Sequence, residues 1–243
     1  MSEKRVKFRL FLDAELGAKQ SLVLTKAQGN YLFAVMRLSL GDLVAVFNGR
    51  DGEWTAEVVE ANKRGGALRC VAQSAPQCNP PDLWVFFAPI KKARTDFIVE
   101  KATEMGAARI LPVQTSFTNS DRIRQDRLQA HAVEAAEQCG GTFVPEVSEL
   151  QKLEAVLQDW PEDRRIMFCD ETLVGAKAAL GQQQGGKWAI LIGPEGGFSP
   201  QELDMLRRQP YVTSVSLGPR ILRADTAVVA ALTLWQSELG DWV

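Results

Sequence analysis

The 243-residue sequence is poor in the features that mark membrane, secreted and metal-binding proteins. It lacks a run of the roughly 18 apolar residues that a membrane-spanning helix needs, and its first residues, MSEKRVKFRLFLDAELG, lack the apolar core of a signal peptide. Its four cysteines are scattered without a C-x-x-C pair, and it has one histidine, His131. We therefore expect a cytoplasmic protein with reduced cysteines, no metal and no membrane contact.

A strong net charge is also missing, because the formal charge at pH 7 is only −2. No global field would draw the protein to nucleic acid, so RNA binding would depend on local patches. Basic residues do cluster in three places, at Lys4–Arg9, Lys91–Arg94 and Arg122–Arg127. Each cluster taken alone is more simply explained as solvated surface.

Residues 8–72 have the pattern of a small β-barrel or sandwich. Short apolar runs alternate with turn signals such as Asn48-Gly49 and Gly65-Gly66. The strands are predicted at Phe8–Leu12, Ser21–Leu24, Leu43–Phe47, Glu53–Glu60 and Ala67–Ala72. One helix, with Thr25 as its N-cap and Leu32, Val35 and Met36 at helical spacing, is predicted to plug this domain.

The pattern changes after a proline-rich segment, Ser74–Asp82, which has no periodicity. Buried strands then alternate with amphipathic helices, which predicts an α/β domain with a mostly parallel sheet. We expect a β domain at 1–74, a linker at 75–82 and an α/β domain at 83–243. The strands are predicted at Leu83–Ala88, Arg109–Val113, Arg165–Cys169, Lys187–Ile192 and Val212–Leu217, and the helices at 95–105, 121–139, 149–158, 200–208 and 225–239.

The most informative segment, Ala189–Glu202, is a buried strand that leads through a glycine-rich loop into a helix. Ser199 is the predicted N-cap and Glu202 completes a capping box. Gly193, Gly196 and Gly197 would let the backbone approach a ligand closely. The loop is neither G-x-G-x-x-G nor a Walker P-loop, and an ordinary strand-to-helix turn is an equally good explanation of the spacing.

A second loop has the same organisation. The strand Val212–Leu217 runs into Gly218-Pro219-Arg220, and the apolar run Ala227–Trp235 follows. That run is hydrophobic nearly all round, so it must be buried in the core or against a second subunit. Arg223 precedes it, and a cation there is either paired in a salt bridge, the commoner outcome, or used on a substrate.

Together these segments resemble the RsmE family. The paired C-terminal motifs are Gly193-Pro-Glu-Gly-Gly-Phe-Ser199 and Leu217-Gly-Pro-Arg-Ile-Leu-Arg223 with Asp-Thr-Ala227. Three further segments agree in order and spacing, so that the resemblance spans nearly the whole chain. They are Met36-Arg-Leu-Ser-Leu-Gly-Asp42, Lys91 to Glu104-Met-Gly106, and Glu134-Ala-Ala-Glu-Gln138.

The resemblance implies a SPOUT-superfamily enzyme that uses S-adenosylmethionine to methylate N3 of a uridine in 16S ribosomal RNA within the small ribosomal subunit. It implies a PUA-like N-terminal β-barrel, a C-terminal α/β domain with a deep trefoil knot, and a homodimer. Two alternatives stay open: a non-catalytic RNA-binding or assembly protein that keeps the knot, and, among enzymes, a SPOUT methyltransferase that acts on another RNA position.

The resemblance also implies site residues. Catalysis is assigned to Arg223, which would stabilise the uridine anion, and to Asp225 and Glu137 as candidate proton acceptors. Asp225 stands where the family usually has Glu, and Gly141 where it usually has Arg. The cofactor is expected against Leu191, Ile192, Gly193, Pro194, Glu195, Gly196, Gly197, Leu217, Gly218, Ile221, Leu222 and Ala227. RNA is expected against Arg5, Lys7, Arg9, Arg37, Lys91, Lys92, Arg94 and Lys101.

Overall fold

The structure, a computed structural model, describes residues 6, 8–62, 65–120, 122–170, 180, 183 and 185–242. It divides into two compact units. The N-terminal unit holds residues 1–79 together with Ala136–Val144, and the C-terminal unit holds residues 80–135 and 145–243. The sequence had placed Ala136–Val144 in the α/β domain, and the boundaries at residues 74 and 83 stay a prediction.

The N-terminal unit contains one five-stranded sheet. Its strands follow the order β1-β3-β4-β5-β2, in which β1 and β3 are parallel and the other neighbours are antiparallel. The loop between β3 and β4 turns through two glycines in the left-handed region, Gly49 at φ 81° and Gly52 at φ 77°. The strands are β1 (Arg9–Phe11), β2 (Ser21–Leu24), β3 (Leu43–Phe47), β4 (Glu53–Asn62) and β5 (Gly65–Ala75).

The predicted helix of this unit is present but changes type. Thr25 caps α1 (Lys26–Gly29) with a complete capping box, and the chain continues as a π-helix at Asn30–Val35. Because i→i+5 bonding changes the spacing of a helix face, Leu32 is fully buried in the core while Val35 is 60% exposed. The helix therefore enters the core through Leu32, and the predicted stripe through Val35 is wrong.

The C-terminal unit is built on a wholly parallel sheet in the order β12-β10-β11-β6-β7-β8, with β9 pairing the far end of β7. This confirms the predicted α/β class. Its strands are β6 (Leu83–Phe87), β7 (Arg109–Gln114), β8 (Glu146–Val147), β9 (Gln151–Lys152), β10 (Arg164–Cys169), β11 (Lys187–Ile192) and β12 (Val212–Val215). Its helices are α2 (Lys92–Glu104), α3 (Gln125–Cys139), α4 (Leu153–Gln158), α5 (Pro200–Arg207) and α6 (Ala224–Glu238).

Two short strands escaped prediction. β8 and β9 are two residues long, too short for a period, and they pair only because β7 offers its edge. The predicted helix 149–158 therefore starts later, at Leu153, because Gln151 and Lys152 pair with β7.

Helix α6 has the burial that its apolar sequence predicts. Val228, Ala231, Leu232 and Trp235 are fully buried. Its apolar length does not reach that of a membrane span, and no other helix in the described part of the chain does. The trefoil knot stays a prediction.

Candidate active site

A pocket lies in the C-terminal unit where three neighbouring parallel strands end. Its walls come from the segments that follow β10, β11 and β12 and from the start of α6. The carboxyl edge of a parallel sheet is where open α/β folds bind ligands. We call it the glycine-loop pocket, and it is lined by Phe168, Cys169, Asp170, Ile192, Gly193, Pro194, Gly196, Gly197, Phe198, Leu203, Leu217, Gly218, Arg220, Leu222, Ala224 and Ala227.

The first glycine loop is held in shape by its own helix cap. Ser199 accepts a hydrogen bond from the N–H of Glu202, and the buried Glu202 carboxylate accepts the N–H of Ser199 and, through its other oxygen, the N–H of Ser116. Gly197 takes φ 69° and donates its N–H to the Pro194 carbonyl. The capping box predicted from sequence therefore exists, and its carboxylate also fixes the loop after β7.

The second glycine loop leaves space at its glycine. Gly218 has φ 119°, and a Cβ added there would meet no atom within 4 Å. Its N–H donates to the Ser216 hydroxyl at 3.3 Å, which holds the turn between β12 and the pocket. A side chain at position 218 would therefore be strained, and the backbone around it stays open to a ligand.

The third wall comes from β10, which sequence reasoning did not place in the site. Asp170 is almost fully buried, and its Oδ2 accepts hydrogen bonds from Arg207 Nη2 at 2.6 Å and Nε at 3.0 Å. Burial raises the pKa of the neighbouring Cys169 thiol, so that side chain is a neutral part of the wall. The signal that could have found this wall is the strand order, because β10 lies between β11 and β12.

Nine of the twelve predicted cofactor residues line the pocket, and three do not. Leu191 is buried inside β11, Glu195 points to a salt bridge with Arg94, and the Ile221 side chain is 81% exposed. Ile221 and Glu195 sit in the right loops, but the side chains point elsewhere. The lining residues that were missed are Phe168, Cys169, Asp170, Phe198, Leu203, Arg220 and Ala224.

A small network of charges stands beside the pocket. Arg94 Nη1 lies 2.7 Å from Glu195 Oε1, and Arg94 Nε lies 3.7 Å from Asp225 Oδ2. Asp225 Oδ1 also accepts the N–H of Thr226 in the first turn of α6. Arg94, which was predicted to hold RNA, thus joins the first glycine loop to the start of α6.

Arg223 occupies an unusual position for a cation. It is the N-cap residue of α6, its carbonyl accepts the N–H of Ala227 at 2.7 Å, and its side chain is exposed. The positive end of a helix disfavours a cation, and arginine is not among the residues that cap helices well. Helix stability therefore does not explain the arginine.

Glu137 and Arg9 lie in the N-terminal unit, where both make contacts between β1 and the end of α3. Glu137 Oε1 accepts the N–H of Phe11. The Arg9 guanidinium pairs with Glu53 and donates to the carbonyls of Ala136, Glu137 and Gly141, at the end of α3. These contacts hold the end of α3 against β1, and they occupy the Arg9 guanidinium.

The remaining predicted RNA residues fall into different settings. Lys91 and Lys92 are exposed at the start of α2, and Lys101 is paired with Glu104 at 2.6 Å. Arg37 is exposed with φ 57°, a backbone conformation that is uncommon for residues other than glycine and that often marks a functional position. Arg5 and Lys7 lie outside the described residues.

Comparison with known families agrees with this geometry. The RNA methyltransferase domain family matches residues 77–236, and the RNA methyltransferase PUA domain family matches residues 24–69. The first match covers more than half of the chain and includes every residue of the glycine-loop pocket. The chain belongs to the RsmE family of RNA methyltransferases. The PUA match confirms the predicted class of the N-terminal unit.

Individual relatives extend this RsmE-family match along the chain. The Ribosomal RNA small subunit methyltransferase E of Synechocystis sp. is 30% identical and covers 93% of this chain and 76% of its own. That of Rickettsia conorii is 26% identical and covers 92% and 93%.

Two solved structures have a similar fold. The Ribosomal RNA small subunit methyltransferase E from Neisseria gonorrhoeae, bound to S-adenosyl methionine, has a TM-score of 0.87 at 24% identity and covers 97% of this chain and 99% of its own. A putative methyltransferase from Legionella pneumophila, in complex with the bound cofactor SAM, has a TM-score of 0.88 at 26% identity over 98% and 99%.

Proposed function

We propose that this RsmE-family protein uses S-adenosylmethionine to methylate N3 of a uridine in 16S ribosomal RNA of the small ribosomal subunit. The observation that carries the proposal is the glycine-loop pocket, which lies inside the matched methyltransferase domain and has Asp225 and Arg223 at its α6 border. The family membership supports the RNA methyltransferase class, and the uridine N3 position is the further step that we propose.

The residues of the pocket fit this cofactor. Aliphatic side chains from Ile192, Leu217 and Leu222 suit the faces of an adenine ring, and the glycine turns expose backbone for hydrogen bonds to its edge. The Asp170 carboxylate at the third wall is buried and paired with Arg207, so it holds the wall in place beside the cofactor. S-adenosylmethionine supplies a methyl carbon on a positively charged sulfur, so the protein need not activate the methyl donor further.

The task left to the protein is to remove the N3 proton of uridine. We assign it to Asp225, whose carboxylate is fixed by the Thr226 N–H and faces Arg94. This carboxylate would accept the N3 proton, which leaves the N3 lone pair free as the nucleophile for methyl transfer. Glu137 is the second candidate, although its Oε1 already accepts a backbone hydrogen bond in the N-terminal unit.

Arg223 has the complementary task of stabilising the negative charge that develops on O2 and O4 of uridine. Its exposed guanidinium follows the second glycine loop and gains nothing from the helix that it caps. A cation held near developing charge, where water is excluded, stabilises a transition state strongly. Arg220 lines the pocket itself and is placed to contact the cofactor instead.

We also propose that the protein acts in the cytoplasm as a homodimer. The exposed Phe97 on α2, a helix that packs against α6, is consistent with a surface for a second copy. Light scattering after size-exclusion chromatography tests this, and a monomer at micromolar concentration would contradict it.

The decisive experiment is methylation of 16S ribosomal RNA, naked and within small subunits, with a radiolabelled methyl group and mapping of the modified base by mass spectrometry. We expect 3-methyluridine at one position, and loss of the label in Asp225→Asn. Loss in Glu137→Gln instead would assign the proton transfer to Glu137. Label at another base or at a ribose would overturn the N3 assignment, and absence of both methylation and cofactor binding would favour the non-catalytic RNA-binding alternative.

A further inference from the structure

A second cavity in the C-terminal unit is lined by four basic side chains. It has a volume of about 470 Å³, which is in the range of cavities that hold a small ligand. We call it the basic cavity, and none of its lining belongs to the glycine-loop pocket. It is lined by Pro89, Ile90, Lys92, Thr95, Asp96, Ser120, Arg122, Ile123, Arg124, Arg127 and Leu128.

The charge of this cavity is strongly one-sided. Lys92, Arg122, Arg124 and Arg127 bring four cations, whereas Asp96 is the one carboxylate in its described lining. Asp96 is mostly buried and pairs with Arg127. The other three basic residues are exposed; Arg124 also pairs with Asp126 at 2.7 Å, outside the cavity lining. In a protein whose net charge is −2, such a local excess needs an explanation.

The shape and the apolar lining restrict the anion. Pro89, Ile90, Ile123 and Leu128 supply apolar surface beside the cations. A free phosphate would use only the charges, whereas a nucleotide would place its phosphates on the cations and its base against the apolar side chains. The cavity therefore suits a nucleotide of a single-stranded polyanion better than an isolated ion.

Two structural elements that line the cavity also contact segments at the glycine-loop pocket. In the first turn of α2, Arg94 contacts Glu195 and Asp225 beside the pocket, while Thr95 and Asp96 line the cavity. The turn is held because Thr95 exchanges two hydrogen bonds with the backbone of Ile90.

The loop after β7 makes the second connection. Ser116 donates its N–H to Glu202 of the first glycine-loop cap, and a Cβ on Gly196 would lie 3.3 Å from Phe117. Further along the same loop, Ser120 and Arg122 line the cavity. The loop after β7 therefore links the lining of the basic cavity to the first glycine loop.

We propose that the basic cavity binds a nucleotide of the RNA substrate next to the uridine that is methylated, with Arg122 and Arg124 on its phosphates. This inference rests on the proposed function, because it takes the ligand of the cavity to be the same RNA. The cavity contributes affinity and register, and the glycine-loop pocket contributes the cofactor. Neither the family match nor the motifs of the chain assign a role to Arg122, Arg124 or Ser120.

The test measures binding of a fluorescein-labelled oligouridine and of an abasic ribose-phosphate of the same length, by anisotropy over a range of KCl. For single strands each phosphate contact contributes about 0.7 to the slope of log affinity against log salt, so Arg122→Ala/Arg124→Ala should lower the slope by about 1.4. Lys187→Ala/Arg208→Ala is the matched control, because it removes two exposed cations outside the cavity, each paired with an aspartate as Arg124 is with Asp126. It should leave the slope unchanged.

A second variant tests whether the cavity contacts a base of the RNA. Ser120→Trp adds bulk inside the cavity without changing the charge, and it should remove the preference for oligouridine over the abasic strand while the salt slope stays that of the wild type. Calorimetric titration of S-adenosylmethionine should give the wild-type affinity for all three variants, which separates a fault in the cavity from loss of the fold.

Two results would overturn the proposal. One is an unchanged slope in the Arg122→Ala/Arg124→Ala variant, and the other is wild-type base preference in Ser120→Trp. If the wild type methylates 16S ribosomal RNA while either result is found, the cavity assignment fails and the proposed function stands. If the wild type neither methylates nor binds the oligouridine, both fail.

Discussion

The glycine-loop pocket and the basic cavity lie at the same edge of the same parallel sheet, yet they are built from different materials. The pocket is made of glycine turns and aliphatic side chains at the ends of β10, β11 and β12. The cavity combines apolar residues with basic side chains carried by α2, the start of α3 and the loop after β7. Backbone and apolar surface select a ligand by shape, whereas flexible cations attract one by charge.

The difference teaches how one sheet edge can serve two kinds of ligand. A cofactor bound by backbone tolerates little change in the turns, because each glycine conformation is specific. An RNA held by exposed cations tolerates the loss of any one of them, because the contacts are similar and additive. Substitutions should therefore act sharply in the pocket and gradually in the cavity.

The largest expected effect is on the rate of the methylation step rather than on binding. Arg223→Ala should lower the rate of the methylation step by about 100- to 1,000-fold, the cost of removing one group that stabilises developing charge. Binding of S-adenosylmethionine should be unchanged, as measured by calorimetry beside single-turnover methylation. Arg208→Ala, at the exposed end of α5, is the control and should keep the wild-type rate. A loss of cofactor affinity in Arg223→Ala would instead move this residue into the pocket.

Two glycine substitutions, one at the pocket and one away from it, test the pocket. Gly218→Val should weaken S-adenosylmethionine binding by about 10- to 100-fold, the equivalent of about 1.5–3 kcal/mol of overpacking, because its side chain would enter the space between the loops. Gly186→Val carries a similar backbone strain, at φ 133° with open space, away from the pocket. Both variants should lose about 1–3 kcal/mol of unfolding free energy in urea titrations. Equal cofactor affinity in the two would contradict the pocket.

Substitution of Arg94, in the first turn of α2, should have an intermediate effect on methylation. Arg94→Gln should lower methylation by about 5- to 10-fold, because Glu195 and Asp225 lose a partly exposed cation that holds them in place. Arg94→Lys should recover part of the rate, since it keeps the charge but not the forked geometry. Rates of the two variants are compared with their cofactor affinities. A pure loss of RNA affinity, with the rate at saturating RNA unchanged, would show that Arg94 is only a phosphate contact.

The smallest effect should be that of salt on the affinity for S-adenosylmethionine. Between 50 and 200 mM KCl, S-adenosylmethionine affinity should change by less than about twofold, because few charges line the pocket and the Asp170 charge is already paired with Arg207. RNA affinity should fall steeply over the same range. Calorimetry and anisotropy on one preparation give both values. Equal slopes of log affinity against log salt for S-adenosylmethionine and for RNA would contradict the distinction between the two sites.

Much of the pocket could be predicted because its signals are local. The capping box of Ser199 and Glu202, the glycines and the flanking strands each occur within a few residues, and the structure has them where the sequence indicates. Asp170 and Cys169 could not be found in this way, because no glycine stands directly after β10 in the sequence and only the place of that strand between β11 and β12 brings it to the site. The two-residue strands β8 and β9 were missed for the same reason.

The sequence by itself determined the α/β class of the C-terminal unit, most strand and helix positions, both glycine loops and the resemblance to the RsmE family. These features depend on hydrophobic period, turn residues and caps, which are properties of neighbouring residues. Only the tertiary structure decided the strand order, the third wall of the pocket, the pairing of Arg94 with Glu195 and Asp225, and the basic cavity. Each of these depends on contacts between residues far apart in the chain, and those are set by how the strands and helices pack rather than by local pattern.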